Sequence, residues 1–331
     1  MALALNNPIV ANDIHHIRMF KELKVWLLEG GNNDKLVIKT DAVFQQQYKS
    51  ASPIIKAIAP GAKLKVLSQA ELNALQEYIR THELLTQAYQ DMDMNFNPDE
   101  TEPVARLKES LGFGFPFVKM AAVNVSDLEG ALKARLAPNV DKTSLRAFTA
   151  TLNAPGGLET LGKIIAVDLF NGNTDRFFPG AASTKNVGGV DFNLRCLVNI
   201  GNVFRAVTAG GSEVGALDFI DPNSIYKDIN TPLAQAELGA AYPWPARLLT
   251  SRQQRHAFAK DVVHDLEKIL NPHKSRFSLK TKLTGNSEGR VASGMKQGAF
   301  AIKLKLEAKY INPNQATQGI LDRHQILSQV H

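Results

Sequence analysis

The most regular alternation of apolar and polar positions lies near the start of the chain, at residues 24–40. Two apolar, β-branched runs, at residues 24–29 and 35–40, flank a Gly-Gly-Asn-Asn-Asp cluster. Because Gly, Asn and Asp tolerate the positive φ angles of a tight reversal, this pattern predicts a β-hairpin. Lys39 comes near the end of the second run. A lysine at such a position is ordinarily solvated, because the strand leaves the core there.

From Ser68 onward the apolar positions recur with a helical period. Ser68 and Glu71 have the spacing of a capping box, in which each side chain bonds to the backbone amide of the other residue. The apolar positions that follow at helical spacing are Leu72, Leu75, Tyr78, Ile79 and Leu84. The pattern predicts a helix, and its acids Glu71 and Glu77 are candidate partners for Lys39.

The stretch that follows this helix predicts a loop and then a strand. Residues 91–102 are polar, carry Pro98 and are followed by Pro103, which is typical of a loop. Residues 117–125 are mostly apolar, with Lys119 among them, and predict a buried strand. Gly112 and Gly114 precede the strand but complete no phosphate-loop motif. The polar residues that end the strand predict a connector between two lobes.

The middle of the chain predicts helices and then an insertion. Residues 127–166 are helical in pattern, with breaks at Pro138 and at the Pro-Gly-Gly of residues 155–157. Residues 177–192 are rich in glycine, alanine and serine and predict an exposed insertion.

The last part of the chain predicts short strands followed by helices. Strands are predicted within residues 192–207 and 215–220, and a helix over residues 250–270. A glycine-bearing loop at residues 285–298 is predicted to precede the final helical stretch.

Composition indicates a globular protein of the reducing cytoplasm. The chain has 331 residues, 44% hydrophobic and 21% charged, which is enough for one large or two medium cores. Its one cysteine, Cys196, lies in an apolar run and predicts a buried, inert thiol. The net charge of +6 has no RNA-binding or zinc-finger pattern beside it, so no nucleic-acid partner is expected.

The sequence shows few targeting features. No stretch approaches the ~20 apolar residues that a membrane helix needs, and no classical signal peptide is present, so we expect no membrane insertion. The same features are compatible with a bacterial effector that a specialised machine exports into a host cytosol.

Three acidic positions carry the candidate chemistry. Asp168 is ordinarily a helix or turn cap, and Asp175 with Arg176 is ordinarily a surface ion pair worth at most ~1 kcal/mol. Asp218 is more informative because it lies inside the apolar run Ala-Leu-Asp-Phe-Ile, where an unpaired charge is costly. The position of Asp218 therefore predicts a cationic partner.

Four short motifs occur in an order that resembles a known family. They are Val-Ile-Lys at 37–39, Gly-Asn-Thr-Asp-Arg-Phe at 172–177, Asn-Ile-Gly-Asn-Val at 199–203 and Leu-Asp-Phe at 217–219. This order resembles the atypical kinase branch that includes actin-fragmin kinase and the phosphatidylinositol kinases, in which an N-x-D-R loop replaces H-R-D. The long insertion between the second and third motifs is similar to that of actin-fragmin kinase.

The resemblance implies a fold and a set of catalytic roles. The fold would be α+β, a two-lobed protein-kinase-like fold with a small β-rich N-lobe at residues 1–124 and a larger, mostly helical C-lobe at residues 125–331. Asp175 would be the catalytic acid/base or positioning group, and Arg176 would hold its loop, by pairing with a nearby carboxylate. Asn202 and Asp218 would be ligands of Mg²⁺, which prefers oxygen.

The resemblance also implies a nucleotide site. Lys39 would bind the phosphates of ATP, and Glu71 and Lys119 complete the predicted cofactor-binding set. The metal and Lys39 together would neutralise charge on the transferred phosphoryl group.

The activity implied is that of an ATP- and Mg²⁺-dependent phosphotransferase, an atypical serine/threonine kinase with a protein substrate, for which actin is one candidate. The alternatives are transfer of AMP, phosphorylation of a small molecule, and a non-catalytic pseudokinase that serves as an interaction module. Phe177 stands where lipid kinases commonly have histidine, which argues against a lipid substrate. Ile220 replaces the glycine of a DFG motif, and Asp221 is either a second metal ligand or a turn former.

Overall fold

The computed structural model shows a mixed α+β protein. It describes residues 3–19, 25–31, 34–40, 64–91, 98–114, 116–122, 125–138, 143–171, 176–177, 182–197, 199–206, 217–218, 248–272, 283–307, 327–328 and 330. The described residues divide into two compact units, the first within residues 3–122 and the second within residues 125–330.

The first unit is built on a five-stranded antiparallel sheet. Its strands are β1 (His16–Met19), β2 (Val25–Glu29), β3 (Lys35–Thr40), β4 (Leu64–Val66) and β5 (Phe117–Ala121), in the order β1-β2-β3-β5-β4. Strands β2 and β3 are the predicted hairpin, with Glu29 opposite Lys35, so that prediction is confirmed. The predicted buried strand is confirmed as β5.

Two helices of the first unit cover one face of this sheet. They are α1 (Gln69–Asp91) and α2 (Pro98–Gly112). Trp26 and Ile38 from the sheet share a buried core with Leu75 of α1 and Leu107 of α2. The apolar positions that alternate along each strand therefore face the helices.

The N-terminus of α1 has the predicted capping box. The amide of Ser68 donates to Oε2 of Glu71 at 2.9 Å, and the amide of Glu71 donates to Oγ of Ser68 at 3.4 Å. The helix prediction is thus confirmed together with the reason for its start.

Helix α2 contradicts part of the loop predicted at residues 91–102. Pro98 is its first residue, where a missing backbone N–H costs nothing because the first turn has no acceptor for it. Pro103 lies inside the helix, and its carbonyl oxygen accepts a hydrogen bond from Nε1 of buried Trp26 at 3.1 Å. Packing on the sheet thus stabilises a helix that the prolines argued against.

The second unit contains a small three-stranded antiparallel sheet and a separate hairpin. The sheet strands are β6 (Val125–Asp127), β9 (Phe204–Ala206) and β10 (Leu217–Asp218), with β9 in the middle. The hairpin consists of β7 (Ser183–Val187) and β8 (Val190–Leu194).

Five helices of the described second unit surround its core. They are α3 (Leu128–Leu136), α4 (Thr143–Asn153), α5 (Gly157–Asn171), α6 (Arg252–Leu270) and α7 (Ser287–Glu307). The predicted breaks near Pro138 and at residues 155–157 are confirmed, and so is the helix predicted over residues 250–270. Helix α5 is buried along nearly its whole length and ends just before residues 172–177.

The loop predicted at residues 285–298 is wrong, because most of it is the first half of α7. Gly294 and Gly298 serve helix packing instead of chain reversal. A Cβ on Gly294 would overlap the carbonyl of Glu159 in α5, and a Cβ on Gly162 in α5 would overlap the carbonyl of Val291. Helices α5 and α7 therefore approach each other at backbone distance.

The exposed insertion predicted at residues 177–192 is confirmed only in part, because half of its described residues are exposed and the others are buried or half-buried. Gly188 and Gly189, with φ of +57° and +80°, form the tight turn of the β7–β8 hairpin. Phe177, Val187 and Phe192 are buried in the core of the second unit. The small residues make the turn, while alternate residues of the strands pack inward.

Candidate functional site

Arg176 joins three parts of the second unit. Its Nη1 donates to both carboxylate oxygens of Asp168, at 3.0 and 2.8 Å, and its Nε donates to the carbonyl oxygen of Asn202 at 2.7 Å. The side chains of Arg176 and Asp168 are 3% and 1% exposed. A buried charge pair of this kind keeps one geometry, because each charge would be costly to leave alone.

Asn202 ends a short 3₁₀ turn directly before β9. Oδ1 of Asn199 accepts a hydrogen bond from the amide of Gly201 at 3.0 Å and so caps this turn, which spans Ile200–Asn202. The amide of Leu128, at the start of α3, donates to the carbonyl of Val203 at 2.9 Å. The turn is thereby fixed from two sides.

The backbone register brings Asp218 to the same end of the sheet as Asn202. In β10 Asp218 pairs with Phe204, which follows Asn202 by two residues. Arg176, Asn202 and the backbone of Asp218 therefore meet at one end of the β9–β10 ladder. Asp175 and the side chain of Asp218 lie outside the described residues.

In the first unit, Glu71 of helix α1 forms a buried ion pair with Lys119 of β5. Nζ of Lys119 donates to Oε1 of Glu71 and to the carbonyl of Asn7, each at 2.5 Å, and the amide of Ile9 donates to the same Glu71 oxygen at 3.1 Å. Lys119 and Glu71 are 4% and 5% exposed. Their contacts tie the N-terminal segment to α1 and β5, and a nucleotide role for either residue stays a prediction.

Hydrogen bonding lowers the pKa of the Glu71 carboxyl. Burial alone would raise the pKa, but the hydrogen bonds from Lys119, Ser68 and Ile9 favour the ionised form and outweigh it. Glu77, the other candidate partner of Lys39, forms an ion pair with Arg80 at 2.6 Å.

Lys39 lies on the sheet face opposite the helices. It alternates with Ile38 and Thr40, which are buried, and it is paired in register with Val25 and Val118. Val25, Val37 and Lys39 are half-buried. This face thus combines apolar side chains with a cation.

Two further clusters were missed from the sequence. The first is centred on Asp265, which is fully buried in α6 and accepts hydrogen bonds from the amides of Arg195 and Cys196 at 2.7 and 2.8 Å and from the amide of Leu197 at 3.3 Å. Leu197 forms an antiparallel bridge with Phe177. The sequence signal that could have revealed Asp265 is the placement of an acid on the apolar side of a predicted helix, three residues after Val262.

The second missed cluster is centred on Glu129, in the first turn of α3. Lys185 of β7 binds one of its carboxylate oxygens at 2.7 Å, and Lys133 binds the other at 2.8 Å. Its signal in the sequence was weak, because these residues are far apart in the chain and the hairpin was not predicted.

A magnesium site is compatible with the residue types brought together. The amide oxygen of Asn202 and the carboxylate of Asp218 are hard oxygen donors of the kind that Mg²⁺ takes, usually with several waters. Among the residues whose side chains are described, no group of three or more His, Cys, Asp or Glu could hold a metal ion.

Comparison with known proteins yields no relative: no family model, no curated protein and no solved structure matches this chain. None of the described helices is both long and apolar enough to cross a membrane.

Proposed function

We propose that this protein is an ATP- and Mg²⁺-dependent phosphotransferase, an atypical protein kinase with a two-lobed kinase-like fold that acts on a serine or threonine hydroxyl of a protein. The observation that carries the proposal is the bond from Nε of Arg176 to the carbonyl of Asn202, at 2.7 Å. It links the Asp-Arg turn to the predicted metal-binding turn despite the long insertion between them in the chain.

The chemistry assigned to these residues is an in-line transfer of the γ-phosphoryl group. The substrate hydroxyl oxygen forms a bond to the γ-phosphorus, the bond from that phosphorus to the β–γ bridging oxygen breaks, and ADP leaves. Asp175 orients the hydroxyl and receives its proton. Asn202 and Asp218 would hold Mg²⁺, which would supply neutralising charge, while Arg176 and Asp168 keep the turn in place.

Lys39 has a supporting role in this proposal. Its location on a half-buried, apolar sheet face is compatible with the binding of a flat base and of phosphate oxygens. A lysine in such surroundings interacts with phosphate more strongly than one in bulk water, because the local dielectric is lower.

The experiment is transfer of label from γ-³²P-ATP to a protein acceptor, such as actin, by wild type and by Asp175→Asn and Asp218→Asn. We expect label only with wild type and Mg²⁺. Asp191→Asn, at an exposed position of β8, is the matched control and should keep full activity. Equal labelling by all four proteins would refute the proposal, and an acceptor mass gain several times ~80 Da would indicate nucleotidyl transfer instead.

A further inference from the structure

The β7–β8 hairpin carries a lysine on its inner face. Strand alternation places Lys185 on the same side as Val187 and Phe192, which are 1% and 6% exposed. The other side of the hairpin is polar and exposed, with Thr184 bonded to Asn193 across the strands. Removing the charge of Lys185 from water is costly, and the outer side of the hairpin is solvated. A lysine on the inner side therefore requires a compensating interaction.

Glu129 provides the local compensation for Lys185. Burial would raise the pKa of the Glu129 carboxyl, but the hydrogen bonds from Lys133 and Lys185 lower it, so this group is ionised at neutral pH. Since Lys133 lies one helical turn along α3 and already occupies Oε1, Lys185 is a second cation on one carboxylate. With a lysine on each oxygen, Glu129 is unsuited to bind a metal.

Glu129 stands directly beside the turn that contains Asn202. A Cβ placed on Gly201 would lie 3.4 Å from Oε2 of Glu129, the oxygen that Lys185 binds, and 3.1 Å from Oδ1 of Asn199. The carboxylate oxygen that holds the ammonium of Lys185 therefore lies beside Gly201, the residue before Asn202.

The ammonium of Lys185 retains capacity for another partner. An ammonium has three N–H donors, and Glu129 takes one of them. The side chain of Lys185 is 23% exposed, whereas that of Lys133 is 52% exposed. Lys185 is thus partly desolvated and held in position, yet open to solvent, and the carboxylate that holds it lies beside the predicted metal-binding turn.

We propose that Lys185 is a further catalytic residue, which donates a hydrogen bond to an oxygen of the phosphoryl group that is transferred beside Asn202. The insertion between Asp175 and Asn202 then has a chemical purpose, because its hairpin supplies the cation. Glu129 holds the ammonium in place before the nucleotide binds. This inference rests on the proposed phosphotransferase activity.

The experiment compares Lys185→Met with Lys133→Met, since both variants remove one cation from the same carboxylate. We expect Lys185→Met to lower kcat by about 100-fold, the cost of losing a donor to developing charge. The KM for ATP should change much less. Lys133→Met should stay within about threefold of wild type, and Lys185→Arg should recover part of the lost rate. Thermal midpoints of the variants report folding, and Lys185→Gln replaces the methionine variant if that one does not fold.

Binding separates failure of this inference from failure of the proposed function. Each protein is titrated with a non-hydrolysable ATP analogue and Mg²⁺ in a calorimeter. If wild type transfers phosphate and Lys185→Met has the same kcat as Lys133→Met, only the inference about Lys185 is refuted. If wild type binds the analogue but transfers nothing, the phosphotransferase reaction is refuted, and the catalytic role of Lys185 is refuted with it. If wild type neither binds nor transfers, both are refuted.

Discussion

The buried pair of Arg176 and Asp168 gives the sharpest stability prediction. Asp168→Ala leaves the guanidinium, whose side chain is 3% exposed, without its carboxylate. Removing one partner of a buried ion pair costs about 3–5 kcal/mol, because the remaining charge stays desolvated. At roughly 2–4 °C per kcal/mol for a unit of this size, the midpoint of thermal unfolding should fall by about 6–20 °C.

Graded variants test whether charge or shape carries this effect. Asp168→Asn keeps an acceptor oxygen but loses the charge, and we expect it to cost about 1.5–3 kcal/mol. Combining Asp168→Leu with Arg176→Met removes both charges, so the double variant should be more stable than the sum of the single effects predicts. Asp261→Ala is the control, since the ion pair of Asp261 with Arg195 is exposed and should contribute less than ~1 kcal/mol.

Urea unfolding followed by circular dichroism measures these free energies. The slope of the unfolding free energy against urea concentration must stay the same among the variants, so that a change in midpoint reports a change in stability. A cost below ~1 kcal/mol for Asp168→Ala, or strict additivity in the double variant, would refute the assigned role of the pair.

Three further predictions concern other parts of the fold. The folded pKa of Glu71 lies below its ordinary value of 4.5, so its pairing stabilises the fold above that pH, and the stabilisation is lost as pH falls through the folded pKa. In urea titrations at a series of pH values, Glu71→Gln should therefore reduce the loss of unfolding free energy at acid pH. An unchanged loss would contradict the assignment. Gly294→Ala should destabilise by about 1–3 kcal/mol through the clash with α5, whereas Gly112→Ala, with open space around it, should be near neutral in thermal unfolding. Burial and the nearby Asp265 charge raise the pKa of the Cys196 thiol, so it should react with a chromogenic disulfide only after unfolding, and rapid reaction of the native protein would contradict its burial.

The local signals in the sequence predicted the elements whose causes are local. The β2–β3 hairpin and the Ser68–Glu71 capping box depend on residues a few positions apart, and both are present. Helix α2 and the first half of α7 were missed because tertiary contacts override their local signals. Pro98 is harmless at a helix start, and Gly294 is needed where α5 approaches.

The pairing of charged residues was harder to predict than their presence. Glu71 and Lys119 were both expected to bind the nucleotide with Lys39, but their pairing with each other was not predicted. The register of β5 places Lys119 opposite Ile38, on the face that α1 covers. Asp168 was expected from the sequence to cap a helix or turn, but it lies inside α5, and its buried carboxylate pairs with Arg176. The part played by Asp265 depends on contacts about 70 residues away in the chain, which no local pattern reveals.

The most direct test of the central claim is calorimetric titration of wild type and of Asn202→Ala with a non-hydrolysable ATP analogue, with and without Mg²⁺. The account predicts saturable binding by wild type that requires Mg²⁺ and is lost or strongly weakened in Asn202→Ala, while thermal unfolding confirms that the variant is folded. Binding that is equal in both proteins, or that does not depend on Mg²⁺, would contradict a metal–nucleotide site at the Arg176–Asn202 junction.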